Sequence, residues 1–217
     1  MLSAYVFDAY GTLFDVHAAI GRHRDAAGAD AENFSQLWRA KQLEYTWTLT
    51  LAGHYSDFWS LTERALDYAL ARFPSVDRSL RASLLDAYRE LDAFPDVRST
   101  LAGLKARGAR LAILSNGSPG MLASAVDAAG LQTLLDAVLS VDAVRAYKPR
   151  SDAYTPVTKE LGVERQDVAF VSSNRWDIMG AATFGFRTFW INRSQMPDEY
   201  EPFPPSQQLA SLAELLT

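Results

Sequence analysis

The chain of 217 residues carries 21 basic and 26 acidic side chains, a formal charge of -5, and is 48% hydrophobic. That is enough apolar material for one large domain or a core with a smaller inserted one, and a mildly acidic balance without a basic block argues against nucleic acid and anionic membranes as partners. The absence of cysteine excludes disulfides and thiolate zinc sites, no apolar stretch reaches the roughly 18 residues of a membrane span, and Leu2-Ser3-Ala4-Tyr5-Val6-Phe7 shows no charged leader or cleavage site. A cytoplasmic protein is the expectation.

The first element is a buried strand ending at Val6-Phe7, followed by Asp8-Ala9-Tyr10-Gly11-Thr12-Leu13-Phe14-Asp15. An apolar run that delivers a carboxylate, then a glycine and a hydroxyl, suits a nucleophile at the carboxyl edge of a parallel sheet, where ligands of open α/β sheets sit. Read alone, Asp8 could equally cap a turn or helix. Residues 15–93 then read as helices only, at Phe34 to Leu51, Ser56 to Arg72 and Asp77 to Leu91, the last with Leu80, Leu84, Tyr88 and Leu91 at helical spacing. Such an insertion would stand over the sheet edge and could close the site, with Asp15 turning the chain into it. Pro95-Asp96 opens a helix that ends near Gly108 and returns the chain to the core.

From there strands and helices alternate. Leu111 to Leu114 is a strand; Ser118 is the expected N-cap and Pro119 the first residue of a helix closed by Gly130. Ala137 to Val141 is the next strand, and a helix with Pro156 in its first turn ends near Gly162. Val168 to Val171, a helix from Asp177 to Phe184, and Thr188 to Ile191 complete the alternation, before a proline-rich loop at Asp198 to Pro205 and a short terminal helix. The class is therefore α/β, a doubly wound parallel sheet covered on both faces. Residues 1–14 and 94–217 form its core and 15–93 an inserted helical subdomain.

Polar residues collect at the strand ends: Asp8, Tyr10 and Thr12; Ser115 and Asn116; Lys148 before a helix; Ser172, Ser173, Asn174 and Asp177. Any one of them could serve turn chemistry, but four strand ends agreeing point to a site. A buried Lys148 facing Asp8 would compensate the charge of its carboxylate.

Asp8-Ala9-Tyr10-Gly11-Thr12-Leu13, Ser115-Asn116-Gly117, Tyr147-Lys148-Pro149 and Ser172-Ser173-Asn174-Arg175-Trp176-Asp177 resemble, in order, the four motifs of the haloacid dehalogenase superfamily. Trp38-Arg39-Ala40-Lys41-Gln42-Leu43-Glu44-Tyr45-Thr46-Trp47, followed by Tyr55-Ser56-Asp57-Phe58-Trp59, resembles specifically the L-2-haloacid dehalogenases. The superfamily consists mostly of phosphatases, which carry a second Asp two residues after the nucleophile and another acid in the fourth motif that helps hold magnesium. Tyr10 and Ser173 occupy those positions here, and Asp8 with Asp177 alone makes a poor magnesium site. No metal or other cofactor is implied.

The resemblance implies hydrolysis of short L-2-haloalkanoic acids to D-2-hydroxyalkanoic acids. Asp8 would displace halide from C2 and form an ester. Backbone N–H groups of Tyr10 and Gly11, with Ser115 and Lys148, would grip the substrate carboxylate. Arg39, Asn116, Phe58 and Trp176 would cradle the halide, while Gln42 and Leu43, three and four residues after Arg39, would share its helix face and line the alkyl group. Asp177, Asn174 and Lys148 would position the hydrolytic water, Thr12 and Ser172 would steady Asp8, and Tyr154 would hydrogen-bond in the site. The implied partners are a 2-haloacid, a halide and a second copy of the chain in a homodimer. A magnesium-dependent phosphatase and a non-catalytic small-carboxylate binder are the alternatives; intact Asp8, Lys148 and Asp177 weigh against the binder.

Overall fold

The computed structural model describes residues 2–217. At its centre are six parallel strands, β1 (Ala4–Phe7), β2 (Arg110–Ser115), β3 (Ala137–Ser140), β4 (Val168–Ser172), β5 (Arg187–Ile191) and β6 (Gln207–Leu209), in the order β3-β2-β1-β4-β5-β6. The central runs are apolar at successive positions because helices cover both faces, leaving no solvent side to demand alternation; every residue of β4 is buried. Phe7 lies opposite Ile113 on one side and Val171 on the other, so the carboxyl ends of β1, β2 and β4 are level. The strand order reverses direction between β1 and β4, and the crevice beyond their ends is where this topology binds ligands.

Between Phe14 and Phe94 the chain forms α1 (Ala18–Gly21), α2 (Arg24–Ala27), α3 (Ala31–Leu51), α4 (Phe58–Arg72) and α5 (Arg81–Arg89). It leaves and returns side by side: Asp15 N–H donates to the Asp92 carbonyl at 2.9 Å, and Phe94 N–H to the Leu13 carbonyl at 2.9 Å. The neck of the insertion is thus anchored within a few residues of Asp8. Phe34 and Trp38 of α3 pack with Leu61, Ala65 and Leu66 of α4 in the buried core, and Trp38 Nε1 donates to the Thr62 carbonyl at 3.0 Å. On the far side the Tyr147 hydroxyl donates to the Ser56 carbonyl at 2.6 Å, and the Tyr55 hydroxyl donates to Asp142.

Four helices serve the sheet, α6 (Val97–Ala106), α7 (Pro119–Ala128), α8 (Thr155–Leu161) and α9 (Arg175–Phe184). Right-handed crossovers place α6 and α7 on one face and α8 and α9 on the other. Some local expectations need correcting. Ser118 occupies the N-cap of α7 but its hydroxyl makes no capping bond, whereas Asp57, not Ser56, starts α4 by accepting from Ser60 N–H at 3.1 Å. The edge strand β6 was not expected, because Gln207-Gln208-Leu209 has no apolar pattern and is held by pairing with β5. Among the described residues no helix is long and apolar enough to cross a membrane.

Candidate active site

Asp8 emerges from β1 with its N–H still bonded to the Val171 carbonyl at 2.9 Å, so the ladder fixes its backbone one residue beyond the strand. Its side chain is buried. Oδ2 accepts from Asn174 Nδ2 at 2.7 Å, Thr12 Oγ1 at 3.0 Å and Ser172 Oγ at 3.4 Å. Those donors are themselves held, since Thr12 Oγ1 accepts from Ser173 N–H at 2.8 Å and Ser172 Oγ from Asn174 N–H at 3.1 Å. Oδ1 has a single protein donor among the described residues, Lys148 Nζ at 2.9 Å. One carboxylate oxygen is immobilised and the other retains acceptor capacity.

Lys148 is completely buried and uses all three ammonium protons, on Asp8 Oδ1, on Asp177 Oδ2 at 2.6 Å and on the Leu114 carbonyl at 3.1 Å. Burial pulls its pKa down, but the carboxylates of Asp177 and Asp8 outweigh that and hold it above the ordinary lysine value. Asp177, in the first turn of α9, is also wholly buried and accepts from the Tyr154 hydroxyl at 2.8 Å through Oδ1. Burial, reinforced by the nearby charge of Asp8, pushes Asp177 up to about 6 against the opposing pull of Lys148 and Tyr154.

Above this floor is a cavity of about 10 Å³ lined by Asp8, Tyr10, Arg39, Leu43, Phe58, Ser115, Asn116, Asn174 and Trp176. Arg39 Nη2 donates to the Tyr10 carbonyl at 3.2 Å. The Tyr10 ring stacks with Phe58 and with Tyr88, with centroids 6.0 and 5.9 Å away. Gly117 makes that position available, because a Cβ there would lie 2.6 Å from the Tyr10 ring. Asn116 fixes its own orientation by accepting from Lys148 N–H at 3.1 Å through Oδ1, leaving Nδ2 buried without a partner among the described residues. Ser115 Oγ accepts from Gly117 N–H at 3.0 Å. Arg39, Leu43, Asn174 and Trp176 also line an outer groove of about 600 Å³.

Three expected contacts are not made. Gln42 is absent from the cavity wall; it donates to Thr62 Oγ1 at 2.9 Å and accepts from the Tyr88 hydroxyl at 3.2 Å, entirely inside the insertion. Lys148 has no proton left for a substrate carboxylate. Gly11 N–H is taken by the Phe14 carbonyl at 2.8 Å, whereas Tyr10 N–H has no partner among the described residues.

The family model for haloacid dehalogenase-like hydrolases matches residues 2–185. The chain is 51% identical over 215 residues to (S)-2-haloacid dehalogenase 1 of Pseudomonas sp. (strain CBS-3), covering 99% of this chain and 95% of that protein. It is 50% identical over 215 residues to (S)-2-haloacid dehalogenase 4A of Burkholderia cepacia, covering 99% and 93%. The chain belongs to the (S)-2-haloacid dehalogenase family of these hydrolases. The solved structure of L-2-haloacid dehalogenase from Xanthobacter autotrophicus with chloropropionic acid covalently bound superposes with a TM-score of 0.92 at 40% identity, covering 100% of this chain and 97% of that one.

Within the haloacid dehalogenase family, this donor set suits an ammonium rather than a divalent ion. The two carboxylates of the floor are already bridged by Lys148, Tyr10 and Ser173 contribute no further acid, and magnesium demands several hard oxygen ligands in octahedral array. Sequence reasoning missed several supporting groups: the Leu114 carbonyl, Tyr88 beneath Tyr10, and Gly180 in the middle of α9. Only Gly180 carried a signal, because a glycine inside a helix usually has a packing reason.

Proposed function

We propose that the protein hydrolyses short L-2-haloalkanoic acids to D-2-hydroxyalkanoic acids with inversion at C2, through an ester on Asp8 and without a metal ion. The observation that carries this reading is the asymmetry of Asp8: three donors hold Oδ2 while, among the described residues, Oδ1 accepts only from Lys148. Oδ1 attacks C2 and the carbon–halogen electron pair leaves with the halide, whose developing charge meets Arg39 and Asn116 Nδ2 against the apolar rings of Phe58 and Trp176. Tyr10 N–H and the Ser115 hydroxyl hold the substrate carboxylate, and Leu43 borders its alkyl group. Water then adds to the Asp8 carbonyl carbon, losing a proton to Asp177, which Lys148 and Tyr154 orient. The acyl C–O bond breaks and the departing ester oxygen takes up one of the two water protons, so the hydroxyacid keeps the ester oxygen and the single inversion at C2 is preserved; the other proton is released with the regenerated Asp8 carboxylate. The names of the two curated relatives and the covalent chloropropionic acid of the Xanthobacter enzyme support this reading.

In the same reading residues 15–93 act as a cap on a core of residues 1–14 and 94–217, and the protein works in the cytoplasm as a homodimer; sedimentation would test the last point. The mechanism is tested by a single turnover in heavy-oxygen water with enzyme in excess, following halide beside phosphate release. Unlabelled hydroxyacid with label in the Asp8 peptide is the expected result. Label entering the product at once, with none in that peptide, would mean that Asp8 activates water instead.

A further inference from the structure

Gly180 lies one turn after Asp177 on α9, is buried, and has no positive φ that would require glycine. Its reason is space. A Cβ at this position would stand 2.5 Å from the Tyr154 hydroxyl oxygen, 2.6 Å from Pro149 Cβ and 3.1 Å from Pro149 Cα. The first two distances are shorter than a Cβ tolerates, and the third involves backbone, so alanine would force the helix and its neighbours apart. Both neighbours lead directly to the reacting groups: Pro149 follows Lys148, whose Nζ bridges Asp8 and Asp177, and Tyr154 donates to Asp177 Oδ1 at 2.8 Å.

We infer that Gly180 is a positioning residue for ester hydrolysis: by carrying no side chain it lets α9 close on Tyr154 and Pro149, and so sets the hydrogen bonds that orient Asp177. The inference rests on the proposed role of Asp177 as the base. Three groups face Asp177: Lys148 from the segment after β3, the Tyr154 hydroxyl from the turn before α8, and Asp8 from the end of β1. Tyr154 and Lys148 stabilise its ionised form, whereas burial and Asp8 oppose it. Displacing the Tyr154 hydroxyl therefore moves Asp177 further upward.

The experiment compares Gly180→Ala, Tyr154→Phe and the double variant with the unaltered enzyme, measuring the halide burst, ester hydrolysis against pH, thermal midpoint, and the carbon-13 titration of Asp177. In Gly180→Ala the burst should change by less than about threefold, while ester hydrolysis slows roughly tenfold. Its acidic limb should rise by about one pH unit, as expected for losing a hydrogen bond to a carboxylate. Tyr154→Phe should show the same rise, and adding Gly180→Ala to it should move the limb by clearly less than the sum of the two shifts, since the hydroxyl is already gone and only the Pro149 contact remains to be strained. The double variant, relieved of the nearest clash, should melt no lower than Gly180→Ala, and recovery of folding there would support the inference if Gly180→Ala alone fails to fold. A lowered midpoint with an unmoved limb and Asp177 titration, fully additive shifts, or failure of both variants to fold would make Gly180 a packing residue and overturn the inference. The proposed function would fail separately, through the unaltered enzyme releasing no halide.

Discussion

The floor and the roof of the site are held in opposite ways. On the floor, Asp8, Lys148, Asp177 and Tyr154 are buried, and Lys148 spends every proton on a fixed acceptor. On the roof, Arg39 has one 3.2 Å bond to a backbone carbonyl, Leu43 is half-buried, and both ride on α3, whose insertion joins the core through a narrow neck. Charges that must attack and accept protons gain from fixed partners in a low dielectric. A surface that admits a substrate larger than a 10 Å³ cavity has to yield. The buried charges all belong to the core, whereas the cavity wall is shared between core residues such as Ser115 and Asn116 and the insertion's Arg39, Leu43 and Phe58.

Breaking the floor should have the largest effect. Asp8→Asn is expected to lower turnover by on the order of 10⁴-fold or more, as loss of a covalent nucleophile does elsewhere, and mass spectrometry should find no ester. Breaking the roof should cost less. Removing one donor to developing charge is worth about 2.7 to 4 kcal/mol, so Arg39→Ala should lose roughly a hundredfold or more in steady-state turnover with little change in melting. Arg39→Lys should recover only part, because an ammonium lacks the planar fork; unchanged turnover in Arg39→Ala would remove the residue from the site.

Titrating the floor gives a smaller effect of known sign. Asp177 is raised in the folded protein to about 6 from 3.8. With Asp177 as the base, as proposed, ester hydrolysis should fall about tenfold per unit below that value. By linkage the raised carboxylate withdraws stability as pH rises between those two values, so it opposes folding at the pH where it works. Calorimetry of Asp177→Asn against the parent across that window would register the difference. Gln42→Leu sharpens the comparison from the cap side. It leaves the Tyr88 hydroxyl without its acceptor, so unfolding should become easier by about 1 to 3 kcal/mol, while turnover stays within about threefold. The smallest effect expected is none: exhaustive chelation should leave 2-chloropropionate turnover unchanged, and recovery of lost activity with magnesium would contradict the role given to Lys148.

The case of Gln42 shows where sequence reading stops. Successive helical residues are separated by about 100°, so positions 39, 42 and 43 lie on one broad side of α3. That side is shared between two neighbours: Arg39 and Leu43 face the sheet edge, while Gln42 faces Thr62 of α4 and Tyr88 of α5. Spacing says which residues lie near one another on a helix and is silent about which element packs against each. The same limit hid β6, whose three residues form a strand only because β5 offers an edge.

What the sequence determined by itself is local and periodic. Apolar runs of strand length, punctuated by glycine, proline and capping residues, specified the alternation of β1, β2, β3, β4 and β5 with helices, and the abrupt change from apolar to polar at each strand end nominated Asp8, Ser115, Asn116, Ser172, Asn174 and Asp177. Those signals are legible because strand and helix burial repeat over a few residues. Tertiary structure alone decided the partnerships across 140 residues between Lys148 and Asp8 and across 29 between Lys148 and Asp177. It also set the distribution of donors between the two Asp8 oxygens and the space that only glycine leaves beside Tyr154. Hydrogen-bond direction and ångström-scale clearance depend on where the chain returns, and no window of the sequence contains both partners.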